Sequence, residues 1–234
     1  MNKHLCILFC FQNFEHIKTC YKSLYLDEID FFVIENYSSS SSQIEKFFNE
    51  CKNIKGYIQF HENISYKANE IFLKDFFEFY SKYEFITITD CDLEVTNTQQ
   101  TWAEIKNNLE FENVGVSCID LSMENFPVHI PGANSWIPDP LNVSEHYIEC
   151  ATGAHLLTIK SKNIDILKTL PFVDSNVFHT VYNMNLKWVK TKINKAKHLT
   201  WDLYKQDNEY YQFKQKYIHE LWNHQKISNY KIIK

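Results

Sequence analysis

Apolar positions in the first part of the chain fall into two alternating rhythms. Leu5 to Phe11 is a near-continuous apolar run, the pattern of a strand buried on both faces of a parallel sheet. Phe14, Ile17, Tyr21, Leu24 and Tyr25 then recur at helical spacing and predict a helix up to Leu26. Asp30 to Glu35, with Phe-Phe-Val-Ile at its centre, predicts a second strand. After five serines, Ser38 to Ser42, Gln43 to Cys51 predicts a helix, with Ser42 and Glu45 spaced as a capping box. Tyr57 to Phe60 reads as a third strand, followed by one long helical pattern ending near Tyr83. Phe85 to Thr89 alternates apolar residues with threonines and reads as a fourth strand. The succession β-α-β-α-β-α-β argues for an α/β chain with a mostly parallel, doubly wound sheet.

Beyond Asp92 the rhythm loosens. Thr98 to Leu109 predicts a helix and Val114 to Ile119 a strand. Residues 122–147 carry Pro127, Pro131, Pro138 and Pro140 around Trp136 without periodicity, which predicts a lid or binding loop. His155 to Ile159 reads as a strand, Ser161 to Leu170 and Asp174 to Met184 as helices, and Trp188 to Thr191 as a last strand. Asp207 to Ile227 predicts an amphipathic helix with Tyr210, Phe213, Tyr217, Leu221 and Trp222 on one side.

Composition narrows the function classes. At 234 residues and 44% hydrophobic content, the chain buries a full core as one large domain or two packed lobes. A net charge of -5 supplies no global basic field, so nucleic acid is not an expected partner. There is no arginine, and all 24 basic side chains are lysine. A phosphate bound here is therefore neutralised by metal, lysine or backbone amides and not by a guanidinium fork. Seven cysteines without a Cys-x-x-Cys pair read as reduced thiols of a cytoplasmic protein. The N-terminal apolar run has no cleavage-site pattern, and no run approaches the ~18 apolar residues of a membrane span.

The chemistry concentrates where the fourth strand stops at Asp90-Cys91-Asp92. Two carboxylates at the C-terminal end of a strand sit where open α/β sheets bind ligands. Hard cations such as Mg2+ or Mn2+ take such oxygens and keep positions open for phosphate.

With these residues in order, the chain resembles the GT-A-type nucleotide-sugar glycosyltransferases, closest to the large family-2 group. Four segments carry the resemblance across about residues 5 to 205: Val33-Ile34-Glu35-Asn36-Tyr37-Ser38, Ile88-Thr89-Asp90-Cys91-Asp92, Ala151-Thr152-Gly153-Ala154-His155-Leu156-Leu157 and His198-Leu199-Thr200-Trp201. The resemblance implies that Glu35, Asn36, Ser38, Lys67 and Asp90 contact the nucleotide donor, UDP-linked for preference. It implies that Asp90, Asp92 and His198 hold Mn2+ or Mg2+, the imidazole favouring Mn2+. Trp136, Thr152 and Gly153 fall on the acceptor side, facing a glycan or lipid-linked acceptor. Many members carry a Glu-Asp pair after the Thr-Gly segment. This chain offers Asp174 there as the catalytic base of an inverting transfer, with Asp139 and Glu149 left open.

The expected organisation is a nucleotide-sugar-binding half over residues 1–95, an acceptor half over 96–205, and a helix and tail over 206–234. The expected function is metal-dependent sugar transfer to a glycan hydroxyl, in bacterial-type surface polysaccharide or oligosaccharide synthesis. A sugar nucleotidyltransferase and an inactive carbohydrate-binding protein of the same fold are the alternatives. The first usually needs a glycine-rich, basic loop after the first strand, and Gln12-Asn13-Phe14-Glu15 has neither feature. Lysines 205, 214, 216, 226, 231 and 234 beside the aromatic stripe raise peripheral contact with the inner membrane face as a further alternative.

Overall fold

The computed structural model describes residues 3–130, 133–137, 139–151, 153, 155–204 and 230–232. Among the described residues, eleven strands form one mixed sheet. They are β1 (His4–Cys10), β2 (Ile29–Glu35), β3 (Ile54–Phe60), β4 (Phe85–Asp90), β5 (Leu93–Val95), β6 (Val114–Leu121), β7 (Asn142–Val143), β8 (Ile148–Glu149), β9 (Leu157–Lys160), β10 (Lys187–His198) and β11 (Tyr230–Ile232). Their spatial order is β11-β3-β2-β1-β4-β9-β6-β10-β8-β7, with β5 paired to β10. β3, β2, β1 and β4 run parallel, and so do β6 and β10. β9 lies antiparallel between β4 and β6.

Helices α1 (Phe14–Leu24), α2 (Ser41–Glu50) and the pair α3 (Lys67–Asp75) and α4 (Phe77–Tyr80) make the crossovers of the parallel part. α5 (Thr98–Asn108), α6 (Asp174–Asn183) and α7 (Thr200–Tyr204) serve the other half. Successive strand residues point to opposite faces, so the apolar runs supply two cores at once. Leu8, Phe31 and Val33 pack with Ile17, Leu24 and Phe48 on one side. Leu5, Ile7, Phe32 and Ile34 pack with Phe72 and Tyr80 on the other. Gly56 is dictated by that second core, because a Cβ there would meet the Phe32 ring at 2.1 Å. The alternating threonines of β4 are spent inside the sheet. Thr87 Oγ1 lies 2.7 Å from His4 Nε2 and 2.8 Å from Thr158 Oγ1, so the buried hydroxyls satisfy one another across three strands.

Several expectations are corrected by the fold. The long helix before Tyr83 is two short ones, α3 and α4, broken at Phe76. α2 starts at Ser41 with Ser40 at its cap and no side-chain cap bond, so Ser42 and Glu45 form no capping box. The serine run is therefore a turn and a first helical turn. Asp174 is the first residue of α6, and Val173 holds the cap position. The segment from Ser161 is a 3-10 helix ending at Lys168. β10 is twelve residues long, far beyond Trp188 to Thr191. The proline-rich stretch carries a 3-10 turn at Ala133–Trp136 and the short strand β7. The predicted helix over 207–227 lies outside the described residues, as does Thr152. Among the described residues, no helix is long and apolar enough to cross a membrane. All seven cysteines are free thiols.

Candidate active site

β1 and β4 are parallel neighbours, so their C-terminal ends open on the same edge of the sheet. Asp90, the last residue of β4, is exposed there, while Cys91 turns inward and Asp92 is partly enclosed. Two cavities meet at Asp90. The smaller, about 140 Å³, is bounded by Asn13, His16, Asp92 and Thr200. The larger, about 610 Å³, runs between Ser65 and Tyr66 on one side and Phe172, Asp174 and Ser175 on the other. The larger volume lies in the usual range of small-molecule clefts.

Asp92 is locked by the residues that follow β10. Its carbonyl accepts from the Leu199 N–H at 2.7 Å, and its Oδ2 accepts from the Thr200 hydroxyl at 3.3 Å. The same hydroxyl lies 2.8 Å from His198 Nδ1. A hydroxyl that donates to Asp92 accepts from Nδ1–H, which leaves the lone pair on Nε2. That Nε2 faces Asp92 Oδ2 at 3.6 Å. The His198 ring is held by stacking on Trp201, with centroids 4.8 Å apart, and by an edge contact with His155 at 4.9 Å.

His155 completes a trio. Ligand atoms of Asp92, His155 and His198 all lie within 4.8 Å of one another. Burial, reinforced by the neighbouring His198, lowers the His155 pKa to about 4, so its imidazole is neutral near pH 7. Two imidazoles and a carboxylate converging on one point match the donor set of a borderline divalent metal. Asp90, expected among the ligands, stands outside this trio.

His155 was not legible as a site residue, because in the sequence it only opens an apolar strand. The backbone carries the signal. Leu156 has a φ of 52° while wholly buried, a left-handed turn that costs a leucine roughly 1–2 kcal/mol. The turn is held by the Leu156 N–H donating to Thr89 Oγ1 at 3.3 Å. It leaves His155 beside β4's end and starts β9 one residue later.

Asp174 lines the larger cavity opposite Asp90. Burial raises its pKa above the ordinary 3.8, opposed by His155, the Gly153 N–H and the Lys190 ammonium. A carboxylate with a raised pKa is a better proton acceptor. Gly153 has a φ of 107°, and a Cβ there would meet Lys190 Cε at 2.5 Å. The positive φ is what calls for glycine here, since the flexible end of Lys190 can move aside. Of the other acids considered as base, Glu149 is paired with Lys187 at 2.9 Å, and Asp139 is exposed and lines neither cavity.

The expected donor residues are placed differently from one another. Glu35 is fully buried and lines neither cavity. Asn36 is buried too, donating to Asn63 Oδ1 at 2.7 Å and accepting from the Ile64 N–H at 3.0 Å. Ser38 Oγ accepts from the Gln12 N–H at 2.7 Å. These bonds tie the loops after β1, β2 and β3 into one rim. Lys67 is partly buried and opens α3. Trp136 is 43% exposed and packs against Phe126 and Tyr204, close to the Trp201 that backs His198.

No family model matches the chain. Its sequence is 34% identical over 239 residues to the uncharacterized protein L142 of Acanthamoeba polyphaga mimivirus, covering 93% of this chain and 48% of that protein. The uncharacterized protein L137 of the same virus is 27% identical over 258 residues, covering 99% of this chain and 34% of that protein. The chain thus spans half or less of the length of these relatives. Among solved structures, S. aureus TarS in complex with UDP superposes with a TM-score of 0.56 at 16% identity, over 83% of this chain and 60% of that one. GalNAc-T7 with UDP, GalNAc and Mn2+ superposes with a TM-score of 0.59 at 9% identity, over 84% of this chain and 44% of that one. The α/β fold of this chain is the GT-A glycosyltransferase fold.

Proposed function

We propose that this chain is a metal-dependent glycosyltransferase that moves a sugar from a nucleoside-diphosphate donor, UDP-linked for preference, to a hydroxyl of a glycan or lipid-linked acceptor. The observation that carries this reading is the trio Asp92, His155 and His198 at the sheet edge, one residue from Asp90 and the cleft it shares with Asp174. The structures it resembles hold UDP, UDP-GlcNAc, or UDP with Mn2+, which supports the donor class.

Each residue then has a task. Asp92, His155 and His198 hold Mn2+, or less readily Mg2+, because two of the three ligands are imidazole nitrogens. When bound, the cation stabilises the charge that develops on the departing diphosphate. Asp90, exposed where the two cavities meet, would reach the ribose of the donor. The rim built by Asn36 and Ser38, with Glu35 beneath it and Lys67 at the start of α3, receives the nucleoside and phosphates. Asp174 takes the proton from the acceptor hydroxyl as it attacks the sugar from the face opposite the leaving group. Gly153 and Trp136, with Thr152 beside Gly153 in the chain, border the acceptor.

A donor screen tests the reading. Common nucleotide sugars are incubated with the protein and Mn2+, Mg2+ or chelator, and released nucleotide is measured. We expect release from a UDP-sugar with Mn2+, no better with Mg2+, and none in EDTA. Full release in EDTA removes the metal from the mechanism. Metal-dependent UDP binding with no release from any donor identifies an inactive binder of the same fold.

A further inference from the structure

The middle residue of the acidic motif has no task in the proposed transfer, yet it sits in an unusual place. Cys91 lies between Asp90 and Asp92, borders the smaller cavity and is 5% exposed. Its Sγ is 3.1 Å from the Sγ of Cys10, the last residue of β1. The backbone explains the contact. β1 and β4 pair in register up to Phe9 and Asp90, and the Cys91 N–H donates to the Phe9 carbonyl at 3.1 Å. Cys10 and Cys91 are therefore neighbours one step further along adjacent parallel strands. Such strands lie about 4.8 Å apart, inside the Cα separation of roughly 4.4–6.8 Å that a disulfide spans. Cys20 is a third thiol in the same wall, its Sγ 3.9 Å from the Asp90 carbonyl.

We propose that Cys10 and Cys91 form a reversible oxidation site, closed to a disulfide by a hydroperoxide, which disables the metal site built on Asp92. The metal half of this inference rests on the function proposed above. Cys91 reacts first, because it borders a cavity while Cys10 is wholly buried. Its sulfur attacks one peroxide oxygen, the O–O bond breaks, and an alcohol or water leaves, so that Cys91 becomes a sulfenic acid. The Cys10 sulfur then attacks the Cys91 sulfur, and the hydroxyl leaves as water with the Cys10 proton. Two thiols have lost two electrons, and the peroxide has taken them up. Cys10 is wholly buried and Cys91 is 5% exposed, so peroxide reaches the pair slowly and the dithiol persists between exposures. Drawing the two sulfurs from contact to bonding distance pulls on the peptide between Asp90 and Asp92. Asp92 is pinned on its other side by Leu199 and Thr200, so the pull is resolved at the ligand itself.

Tryptic digestion separates the partners, because Cys91 lies in peptide 83–106, Cys10 in peptide 4–18 and Cys20 in peptide 19–22. The folded protein is treated with hydrogen peroxide and mapped by mass spectrometry, with fragmentation to tell Cys10 from Cys6. Mn2+ affinity is measured by calorimetry before oxidation, after it, and after dithiothreitol. We expect a Cys10–Cys91 link and a loss of Mn2+ affinity of about tenfold or more, the range for disturbing a ligand's support, reversed by the reductant. Cys10→Ala and Cys10→Ser should bind Mn2+ as the parent does and keep that affinity in peroxide. A missing link, a link to Cys20 instead, or a link that leaves Mn2+ affinity unchanged overturns the inference alone. Reduced protein that binds no Mn2+ overturns the metal site, and this inference with it.

Discussion

β2 and β10 both end near the candidate site, but they are built in contrasting ways. β2 is seven residues long, buried at every position and paired one-to-one with β1. β10 is twelve residues long, alternates exposed and buried positions irregularly, and pairs with β5, β6 and β8. Its register against β6 shifts twice. The first kind of strand positions backbone edges. Its neighbours are joined by regular crossovers, and what reaches the site is a rim of loops. The second kind delivers side chains, with His198 at its end and Lys190 buried near its middle. The lesson is that the β2 side of the sheet gains its geometry from regular packing, while the β10 side relies on irregular backbone held by buried polar contacts.

Four measurements break or sharpen that contrast. The largest effect should come from Asp92→Ala, which removes a carboxylate from the trio proposed to hold the cation. We predict a fall in turnover of about a thousandfold or more, some 4 kcal/mol in barrier, with an unchanged melting temperature. Turnover above a tenth of the parent's would remove Asp92 from the mechanism. Next comes Asp174→Asn, which keeps shape and removes the basic oxygen. Turnover should fall about a hundredfold while UDP binding, read by calorimetry, stays as in the parent. Weakened UDP binding with turnover otherwise intact would place Asp174 on the donor instead.

His155→Ala should weaken Mn2+ binding about 10–100-fold without unfolding the chain. Unaltered Mn2+ affinity in this variant would reduce the ligand set to Asp92 and His198. The smallest effect concerns His4, deep in the regular half. Burial lowers its pKa well below 6.5, so the folded chain keeps it neutral while the unfolded chain takes up a proton near that pH. Its contribution is complete above about pH 6.5 and declines on acidification, by at most ~1.4 kcal/mol per pH unit. Denaturant titrations at successive pH values should show this decline, and His4→Phe should flatten it. An unchanged slope in His4→Phe would assign the acid sensitivity to other groups.

The same contrast decides what could be read from the sequence. β1, β2, α1 and the run into Asp90 were visible because their apolar residues follow a period of two or 3.6, and burial on both faces forces that period. The carboxylates of Asp90 and Asp92 stood out because they interrupt an apolar strand. Asp174 is legible only through its distance from the Thr-Gly segment. His155 could not be read, because its position depends on a left-handed leucine and a bond from Thr89, neither of which leaves a periodic trace. β5, β7, β8 and β11 were missed for a related reason. They are two or three residues long, shorter than any window in which alternation can be counted. The long helix before Tyr83 failed because Phe72, Phe76 and Phe77 keep helical spacing through a break at Phe76.

The register shift in β10 has a consequence for how the chain can change over evolutionary time. Lys190 pairs with Cys118 and Lys195 with Asp120, so the extra residues between them are looped out of the sheet. That loop is clasped from outside, with Glu104 accepting from the N–H groups of Lys192, Ile193 and Asn194 at 2.6–2.9 Å. Ile193 at its tip is 82% exposed. Residues gained or lost at 192–194 alter a solvent-facing excursion, while Thr191 at its base is wholly buried and accepts from the Asp120 N–H. A single residue gained or lost between Ala196 and His198 would turn every later side chain to the opposite face of the sheet and carry the imidazole away from Asp92. Length variation among descendants of this fold should therefore collect at 192–194 and stop abruptly at Lys195.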